Sequence, residues 1–333
     1  MIDADALHRD AIVIDAVSPL TRRGQHLDRY REGGVTVVGP TIGVTENAGA
    51  ALRNLGLWHR LFRERDDLVH VRLAADILRA KRDGKLGIVL HFQNISPLED
   101  SLDLADAWAA AGVRMIQLAY NVRNAGGDGC EEKADAGLSR FGRQLVERLD
   151  AARVVIDGSH TGRQTVLDAI AIARRPVVVS HANAAAVHAS PRNLDDDVIR
   201  KIAATGGLIG LVGFPAFVSG SDAPELDALL AHLDHLVRVA GIEHVGLGLD
   251  HYEGQHGIAD PDTAMTLYRQ HVATGAWSDA YPPPPWRYPQ GVDLPERLGN
   301  LTRALVARKW REDDIRKVLG LNWVRVFRDV WGG

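Results

Sequence analysis

Two histidines at the ends of similar apolar runs carry the strongest chemical signal in this sequence. Residues 154–160 form a short β-branched run that ends in His160, and residues 176–181 end in His181 after a helical interval. Apolar runs separated in this way are typical of a βαβ unit with buried parallel strands. One such histidine alone would more often cap a strand or bond a loop carbonyl. Two imidazoles, one unit apart, are expected to share the face where α/β barrels carry their active sites.

A third ionisable side chain ends the last apolar run. Residues 245–250 contain glycines that let neighbouring strands approach closely, and they end in Asp250. Asp250 is expected to act as a metal ligand, a general base, or both in turn; capping the next helix is the alternative. Two histidines and one carboxylate form the ligand set of a catalytic mononuclear zinc site. The sequence therefore predicts one zinc ion, or another divalent metal, on His160, His181 and Asp250, which are also the candidate catalytic residues.

Polar side chains that follow other predicted strands are candidates for binding a substrate. Gln93 and Asn94 follow the third run, and Tyr120 and Asn121 follow the fourth. Their amides and hydroxyl can hydrogen-bond a substrate amide or carboxylate. Arg192 follows the sixth run and is a candidate for bidentate binding of a substrate carboxylate, with a surface salt bridge as the more ordinary alternative.

Two further residues are weaker candidates. His91 shares the face of Gln93 because side chains alternate along a strand. A histidine one layer deeper is more often a hydrogen-bonded core residue than a metal ligand. Cys130 is the only cysteine, and no basic neighbour or helix N-terminus in the sequence indicates a reactive thiolate. A single cysteine also excludes an internal disulfide and favours a reducing compartment.

Short apolar runs that alternate with amphipathic segments must position these residues. The predicted strands are 11–15, 35–44, 86–93, 113–120, 154–160, 176–181, 207–214 and 245–250. The predicted helices between them are 50–63, 71–82, 102–111, 141–151, 166–173, 195–203 and 226–239. Eight such runs predict an α/β fold of the (β/α)8 TIM barrel type, with a doubly wound open sheet as the alternative. No Gly-x-Gly-x-x-Gly loop follows the first strands, which disfavours the alternative.

The end of the chain departs from this alternation. Residues 277–294 contain four successive prolines, which exclude a helix or inner strand and favour polyproline II. An aromatic lid over the barrel mouth is one interpretation of this loop; a surface loop or partner-docking segment is the other. Two closing helices are predicted at 294–309 and 311–330. No linker is evident, so residues 1–333 are predicted to form one barrel domain, with closing helices over 295–331.

Composition narrows the class of protein. Of 333 residues, 46% are apolar and 25% are charged, as in ordinary globular proteins. The formal net charge is −4 without a basic block, which argues against nucleic acid and anionic membranes as partners. No apolar stretch approaches the roughly 18 residues of a membrane span, and the acidic N-terminus lacks the features of a signal peptide. We therefore expect a cytoplasmic protein that acts on a small molecule.

Motifs spread along the chain point to a known family. They are Ser-Pro-Leu-Glu-Asp at 96–100, Gly-Val-Arg at 112–114, Asp-Ala-Gly-Leu-Ser-Arg-Phe-Gly-Arg at 135–143, Asp-Gly-Ser-His at 157–160, Ser-His-Ala-Asn at 180–183, Pro-Arg-Asn at 191–193, His-Val-Gly-Leu-Gly-Leu-Asp at 244–250 and Gly-Leu-Asn-Trp-Val-Arg-Val-Phe at 320–327. Together they resemble the membrane (renal) dipeptidase family of metallopeptidases, whose fold is an amidohydrolase-like barrel. The resemblance implies two zinc ions, cleavage of dipeptides that often carry a C-terminal D-residue, and a homodimer.

The resemblance also implies roles for individual residues. His160 and His181 match the two histidines of the family's second metal. Asp250 matches the carboxylate of the eighth strand, and Arg192 matches the arginine that binds the substrate carboxylate. These positions agree with the candidates that strand ends alone indicate.

Four positions depart from the family pattern. The first strand of the family carries His-x-Asp for the first metal, and this sequence has Val17 and Pro19 there. Gln93 replaces the carboxylate that bridges the two metals, and Tyr120 replaces a histidine that assists catalysis. Valine and proline side chains cannot ligate a metal, and a neutral amide replaces a bridging carboxylate poorly. One ion rather than two is therefore expected, as in a bacterial branch of the family with a degenerate first metal site.

Three functions remain open from the sequence. The first is a dipeptidase-like metallohydrolase with one ion, acting on a small amide or dipeptide with a free carboxylate. The second is a metal-independent hydrolase or lyase that uses the same side chains for acid–base chemistry. The third is a non-catalytic barrel that binds a small ligand. Loss of activity on chelation distinguishes the first from the second.

Overall fold

Parallel strands enclose an apolar centre in the part of the chain that the structure, a computed structural model, describes: residues 2–278 and 281–332. The strands are β1 (Ile14–Ser18), β2 (Val37–Gly43), β3 (Leu68–His70), β4 (Leu86–Ile88), β5 (Leu90–Phe92), β6 (Val113–Gln117), β7 (Val155–Asp157), β8 (Val177–Val178), β9 (Ile209–Leu211) and β10 (Val245–Leu247). Around the barrel their order is β8-β7-β6-β5-β2-β1-β10-β9, and a parallel bridge between Val179 and Ile209 joins its two ends. The predicted (β/α)8 barrel is confirmed.

Helices surround these strands. They are α1 (Ala4–Asp10), α2 (Leu27–Glu32), α3 (Ala48–Glu64), α4 (Ala74–Arg82), α5 (Leu102–Ala111), α6 (Arg140–Ala151), α7 (Arg163–Ile172), α8 (Asp196–Ala204), α9 (Pro215–Val218), α10 (Leu226–Ala240), α11 (Pro261–Ala273), α12 (Gly299–Ala307), α13 (Glu312–Arg316) and α14 (Asn322–Trp331). Each helix predicted between strands is present, with bounds that differ by at most three residues. Over residues 2–278 and 281–332, none combines the length and apolar character that crossing a membrane requires.

Several elements differ from the sequence-based prediction. The third predicted strand is interrupted at Val89 and forms β4 and β5, while β3 adds a strand that pairs with β4 outside the barrel. Helices α1, α2, α9 and α11 are additional. The last predicted helix is divided into α13 and α14 by a π-helical turn at Lys317–Leu321. Asp260, rather than Asp250, caps α11 by accepting a hydrogen bond from the Thr263 amide, so Asp250 remains available for chemistry.

The C-terminal helix closes one end of the barrel. Trp323, Phe327 and Trp331 of α14 are buried and stack in series, with ring centroids 5.2 and 4.0 Å apart. They pack against residues at the N-terminal ends of strands, such as Ile14 of β1 and Val155 of β7. The indole of Trp323 also donates to the Leu247 carbonyl at 2.9 Å. Because α14 covers the N-terminal ends of the strands, the opposite end of the barrel, at the C-terminal ends of the strands, is the open mouth.

Gly248 allows the segments after β8 and β10 to approach closely. A methyl group at this position would lie 2.0 Å from the Ser180 carbonyl oxygen and 3.4 Å from the His181 β-carbon. We expect Gly248→Ala to lower the free energy of unfolding by about 1–3 kcal/mol and to displace His181. Gly56→Ala is the matched control, because its added methyl group meets no atom within 4 Å on the exposed side of α3. Denaturant titration should show that Gly56→Ala does not destabilise the protein. Unchanged stability of Gly248→Ala would contradict this close contact.

Candidate active site

His160 and His181 meet where β7 and β8 end. Their Nε2 atoms lie 2.8 Å apart, and the residues are 3% and 0% exposed. His160, Asn121 and Asp250 all have positive backbone φ angles, of 58°, 61° and 57°. Non-glycine residues rarely adopt this left-handed conformation, and such strained positions cluster at functional sites. The chain thus bends sharply at three strand ends and directs their side chains toward one place.

The amide of Asn121 fixes the proton on His160. Asn121 Nδ2 donates to the Ala276 carbonyl at 2.8 Å, so its Oδ1 must face His160 Nδ1, 2.6 Å away. An amide oxygen only accepts hydrogen bonds, and His160 Nδ1 must therefore carry the proton. In the neutral ring, Nε2 of His160 then has a free lone pair.

Asp157 and Ser180 fix the proton on His181 in the same way. The Ser180 hydroxyl donates to Asp157 Oδ2 and lies 2.8 Å from His181 Nδ1. Since the hydroxyl proton is already directed at the carboxylate, His181 Nδ1 must donate to Ser180 Oγ. Nε2 of His181 is therefore unprotonated as well. Such carboxylate-linked histidines are common among metal ligands.

Two lone pairs consequently face each other across 2.8 Å in a buried site. Burial, followed by the positive charge of Arg192, holds the pKa of both imidazoles well below its usual value. A proton shared between the rings is therefore disfavoured. Neutral imidazole nitrogens are good ligands for zinc, and a divalent cation would remove the repulsion between them. The two imidazoles could therefore supply two of the four ligands of a zinc ion.

Asp250 approaches the imidazole pair through Gln93. Gln93 Nε2 lies 3.4 Å from Asp250 Oδ1 and 3.5 Å from His181 Nε2. Burial raises the pKa of Asp250 to about 7, against the opposing effect of Arg192. Within the described residues, no three His, Cys, Asp or Glu side chains are already grouped as a metal site. The Gln93 amide lies in contact with both Asp250 and His181, where a third ligand would be needed.

A second metal ion has no ligands at the positions that the resemblance assigns to it. Val17 is fully buried in the barrel interior, and Pro19 lines the mouth; neither side chain has a donor atom. Asp15, on the same strand, accepts a hydrogen bond from the Leu249 amide at 2.8 Å. Its other carboxylate oxygen lies 3.7 Å from His251 Nδ1. These residues do not fit a dinuclear centre.

A cavity of about 380 Å³, here called the mouth cavity, reaches Gln93 and Asp250. Aromatic side chains form much of its wall, namely those of Tyr120, Phe214, Tyr252, Trp277 and Tyr281. The Tyr120 ring stacks on His160, with centroids 4.0 Å apart. Tyr120 therefore separates the His160 ring from the mouth cavity.

The predicted proline-rich loop contributes to this wall. Trp277 Nε1 donates to the Tyr120 hydroxyl at 3.0 Å, and the Trp277 and Tyr281 rings stack at 4.6 Å. The Tyr288 hydroxyl donates to the backbone carbonyl of Asp250. Residues 279 and 280 of this loop lie outside the described part of the chain. The described part contacts the site directly, as expected for the lid interpretation.

Arg192 lies beside the imidazole pair but not in the mouth cavity. Its Nη2 donates to the His181 carbonyl at 3.3 Å, and its guanidinium lies 5.1 Å from the ring centroid of Phe217. Its buried Nε has no partner among the described residues. A second cavity of about 230 Å³, here called the side cavity, is lined by Arg192, Cys130 and His160. Arg192 can therefore receive an anion that enters the side cavity.

Asn94 and His91 make their contacts away from the imidazole pair, whereas Cys130 lines the side cavity beside His160. Asn94 Oδ1 accepts hydrogen bonds from the Asn124 side chain and the Ile95 amide, both at 2.8 Å, and thus holds its own loop. Burial lowers the pKa of His91 to about 3, which makes it a neutral core histidine. Burial raises the pKa of the Cys130 thiol to about 12, so no thiolate is available.

The residues that orient the imidazoles are not evident as such in the sequence. Asp157 lies three residues before His160, and Ser180 lies directly before His181. A polar residue just before a strand-end histidine is the only sequence feature that indicates such an orienting role. Asn121, predicted to bind substrate, instead holds the ring of His160. Its role depends on a contact with the Ala276 carbonyl, 155 residues away, which no local pattern indicates.

Comparison with known proteins places this chain in a peptidase family. Residues 21–281 match the family model described as membrane dipeptidase, peptidase family M19. The chain therefore belongs to the membrane dipeptidase family. The family takes its description from dipeptidases, which hydrolyse peptide bonds.

Individual relatives agree with this assignment. An uncharacterised dipeptidase of Schizosaccharomyces pombe is 31% identical over 223 residues, which are 63% of this chain and 54% of the relative. The chain thus spans about half the length of that protein. An amidohydrolase from Pseudomonas aeruginosa has a TM-score of 0.90 and 31% identity over the whole of both chains. A metallo peptidase from Rhodobacter sphaeroides, solved with a phosphinate mimic of L-Ala-D-Ala, has a TM-score of 0.79 and 22% identity over 96% of this chain and 100% of its own. The last likeness shows the fold alone.

Proposed function

We propose that the protein is a dipeptidase-like hydrolase that uses one divalent ion, with zinc as the expected metal, on His160, His181 and Asp250. The observation that carries this proposal is the pair of unprotonated imidazole nitrogens 2.8 Å apart in a buried site. The absence of donor atoms on Val17 and Pro19 supports one ion rather than two. When bound, the ion would polarise the scissile carbonyl and activate water.

The surrounding side chains supply the remaining functions. Asp250, beside the place of the ion, would accept a proton from the attacking water and return it to the leaving amine. Gln93, at the base of the mouth cavity, offers an amide for orienting the substrate. Arg192 would bind the free carboxylate of the substrate through the side cavity. The peptidase relative bound to a dipeptide mimic supports a dipeptide or similar small amide as substrate.

A dipeptide panel tests this proposal. We expect zinc-loaded protein to hydrolyse at least one dipeptide with L- or D-residues at the C-terminal position. Activity should be lost after chelation and return when zinc is added. Activity that persists after measured removal of metal would instead favour metal-independent acid–base chemistry. No turnover of any dipeptide by zinc-loaded protein would contradict the proposed function.

A further inference from the structure

We propose that Glu253 binds the positively charged amino group of the substrate and thereby selects dipeptides or amides with a free amino end. This inference rests on the proposed function, because it assigns the part of the substrate that enters through the mouth cavity. Glu253 lies three residues after Asp250, and both line that cavity. No motif in the sequence and no match in the family pattern singles it out.

The carboxylate of Glu253 lacks a partner within residues 2–278 and 281–332. Glu253 is only partly exposed, and no described donor lies within hydrogen-bonding or ion-pairing distance of it. Arg22 also lines the mouth cavity, but its guanidinium contacts Glu46 directly. A ligand ammonium group could therefore form a charge-assisted hydrogen bond with this carboxylate without displacing an existing hydrogen bond.

The other charges around the mouth cavity favour a cation near Glu253. Arg22 contacts Glu46, and its positive charge also interacts with Glu253. Arg23 is exposed at the rim, where solvent screens it. Burial lowers the pKa of His271, on the same wall, to about 4, so this side chain is neutral. The carboxylates of Glu46, Glu253 and Asp250 thus outnumber the one inner guanidinium, that of Arg22.

The aromatic wall adds to this preference. Tyr252 is adjacent to Glu253 in the chain, and the rings of Tyr120 and Phe214 line the same cavity. Aromatic faces carry partial negative charge, so such a wall attracts an ammonium group more than a carboxylate. Both the carboxylates and the aromatic rings that line the mouth cavity therefore favour the amino end of a substrate over its carboxylate end.

Charged side chains line both cavities, and the side cavity holds three carboxylates as well as two guanidinium groups. The mouth cavity contains Glu253, and the side cavity contains Arg192. His160 lies between them, lining the side cavity and stacking on Tyr120 of the mouth cavity. Because Tyr120 lies between the His160 ring and the mouth cavity, we assign only the amino end of the substrate to Glu253.

Steady-state kinetics at pH 7 test this inference, since a free α-amino group, with a pKa of about 8, is then mostly protonated. A dipeptide that the zinc-loaded enzyme cleaves is compared with its N-acetyl derivative, which lacks the charge. We expect wild-type kcat/KM to be about tenfold or more lower for the N-acetyl derivative. Glu253→Gln should raise KM for the free dipeptide about tenfold, leave kcat nearly unchanged, and remove the discrimination.

Asp262→Asn is the matched control, because it removes one carboxylate from the exposed first turn of α11. It should keep the wild-type discrimination, and thermal unfolding should show that both variants are folded. Equal cleavage of the two substrates by wild type, or unchanged discrimination in Glu253→Gln, would overturn the inference and leave the hydrolase function intact. If no dipeptide is cleaved, calorimetric binding of the same two compounds decides the role of Glu253 separately. Equal affinity of wild type for both compounds, or no loss of affinity for the free dipeptide in Glu253→Gln, would then overturn it.

Discussion

Replacing His181 by alanine is expected to abolish metal binding and hydrolysis together. His181 supplies one of the two facing Nε2 lone pairs, and the two ligands that remain, His160 and Asp250, would hold a divalent ion only weakly against competition from water. We expect kcat/KM to fall by about a thousandfold or more, as when the main electrostatic stabilisation of a transition state is removed. Metal content and kcat/KM are measured on the same preparation.

His256→Ala provides the matched control for this experiment. His256 is exposed and lines neither the mouth cavity nor the side cavity. We expect its replacement to change neither metal content nor kcat/KM. If His181→Ala kept its metal and its activity, the imidazole pair would not be the catalytic centre. Loss of metal with activity intact would favour the metal-independent alternative.

Asp250→Asn should stabilise the metal-free protein while it inactivates the enzyme. Burial raises the pKa of Asp250 to about 7, compared with about 3.9 for an ordinary aspartate. The stability that Asp250 contributes is therefore fully present below about pH 4 and is lost as the pH rises through 7. Asparagine cannot ionise, so we expect Asp250→Asn to be more stable than wild type at pH 8 by about 1–3 kcal/mol. This is less than the full pKa shift implies, because the carboxylate faces the mouth cavity.

Urea denaturation in the presence of a chelator, at several values between pH 5 and pH 8, measures this effect. The stability difference between Asp250→Asn and wild type should increase with pH. Loss of the general base should also lower kcat of the zinc-loaded variant by about 10²–10⁴-fold. If the stability of both proteins depended on pH in the same way, the ionised Asp250 carboxylate would not destabilise the folded protein, and this prediction would be wrong. Wild-type kcat in the variant would exclude Asp250 from the chemistry.

The barrel and its two histidines can be predicted from the sequence because both depend on local pattern. Each buried parallel strand is a continuous apolar run, and the polar residues that follow it within a few positions lie near the mouth. This rule places His160, His181 and Asp250 at strand ends. The observed strands are shorter than the predicted ones; β7, for example, ends at Asp157, three residues before His160.

Contacts between strand ends that are distant in the sequence cannot be predicted from such local patterns. Gln93 meets Asp250 across a separation of 157 residues, and only closure of the barrel brings them together. Arg192 follows β8 as predicted, but the path of its loop directs the guanidinium into the side cavity. Glu253 has no strand-end signal, because it lies in the loop between β10 and α11. Its role emerges only from the cavity that it lines and from the ion pair that Arg22 makes elsewhere.

The most direct test of the account is the number of metal ions bound per chain. Zinc is titrated into metal-free protein by calorimetry, and bound metal is then counted by mass spectrometry after dialysis. We predict one tightly bound zinc ion per chain for wild type and none for His160→Ala, with Val17 and Pro19 unable to supply a second site. Two ions per wild-type chain, or full zinc binding by His160→Ala, would contradict the account.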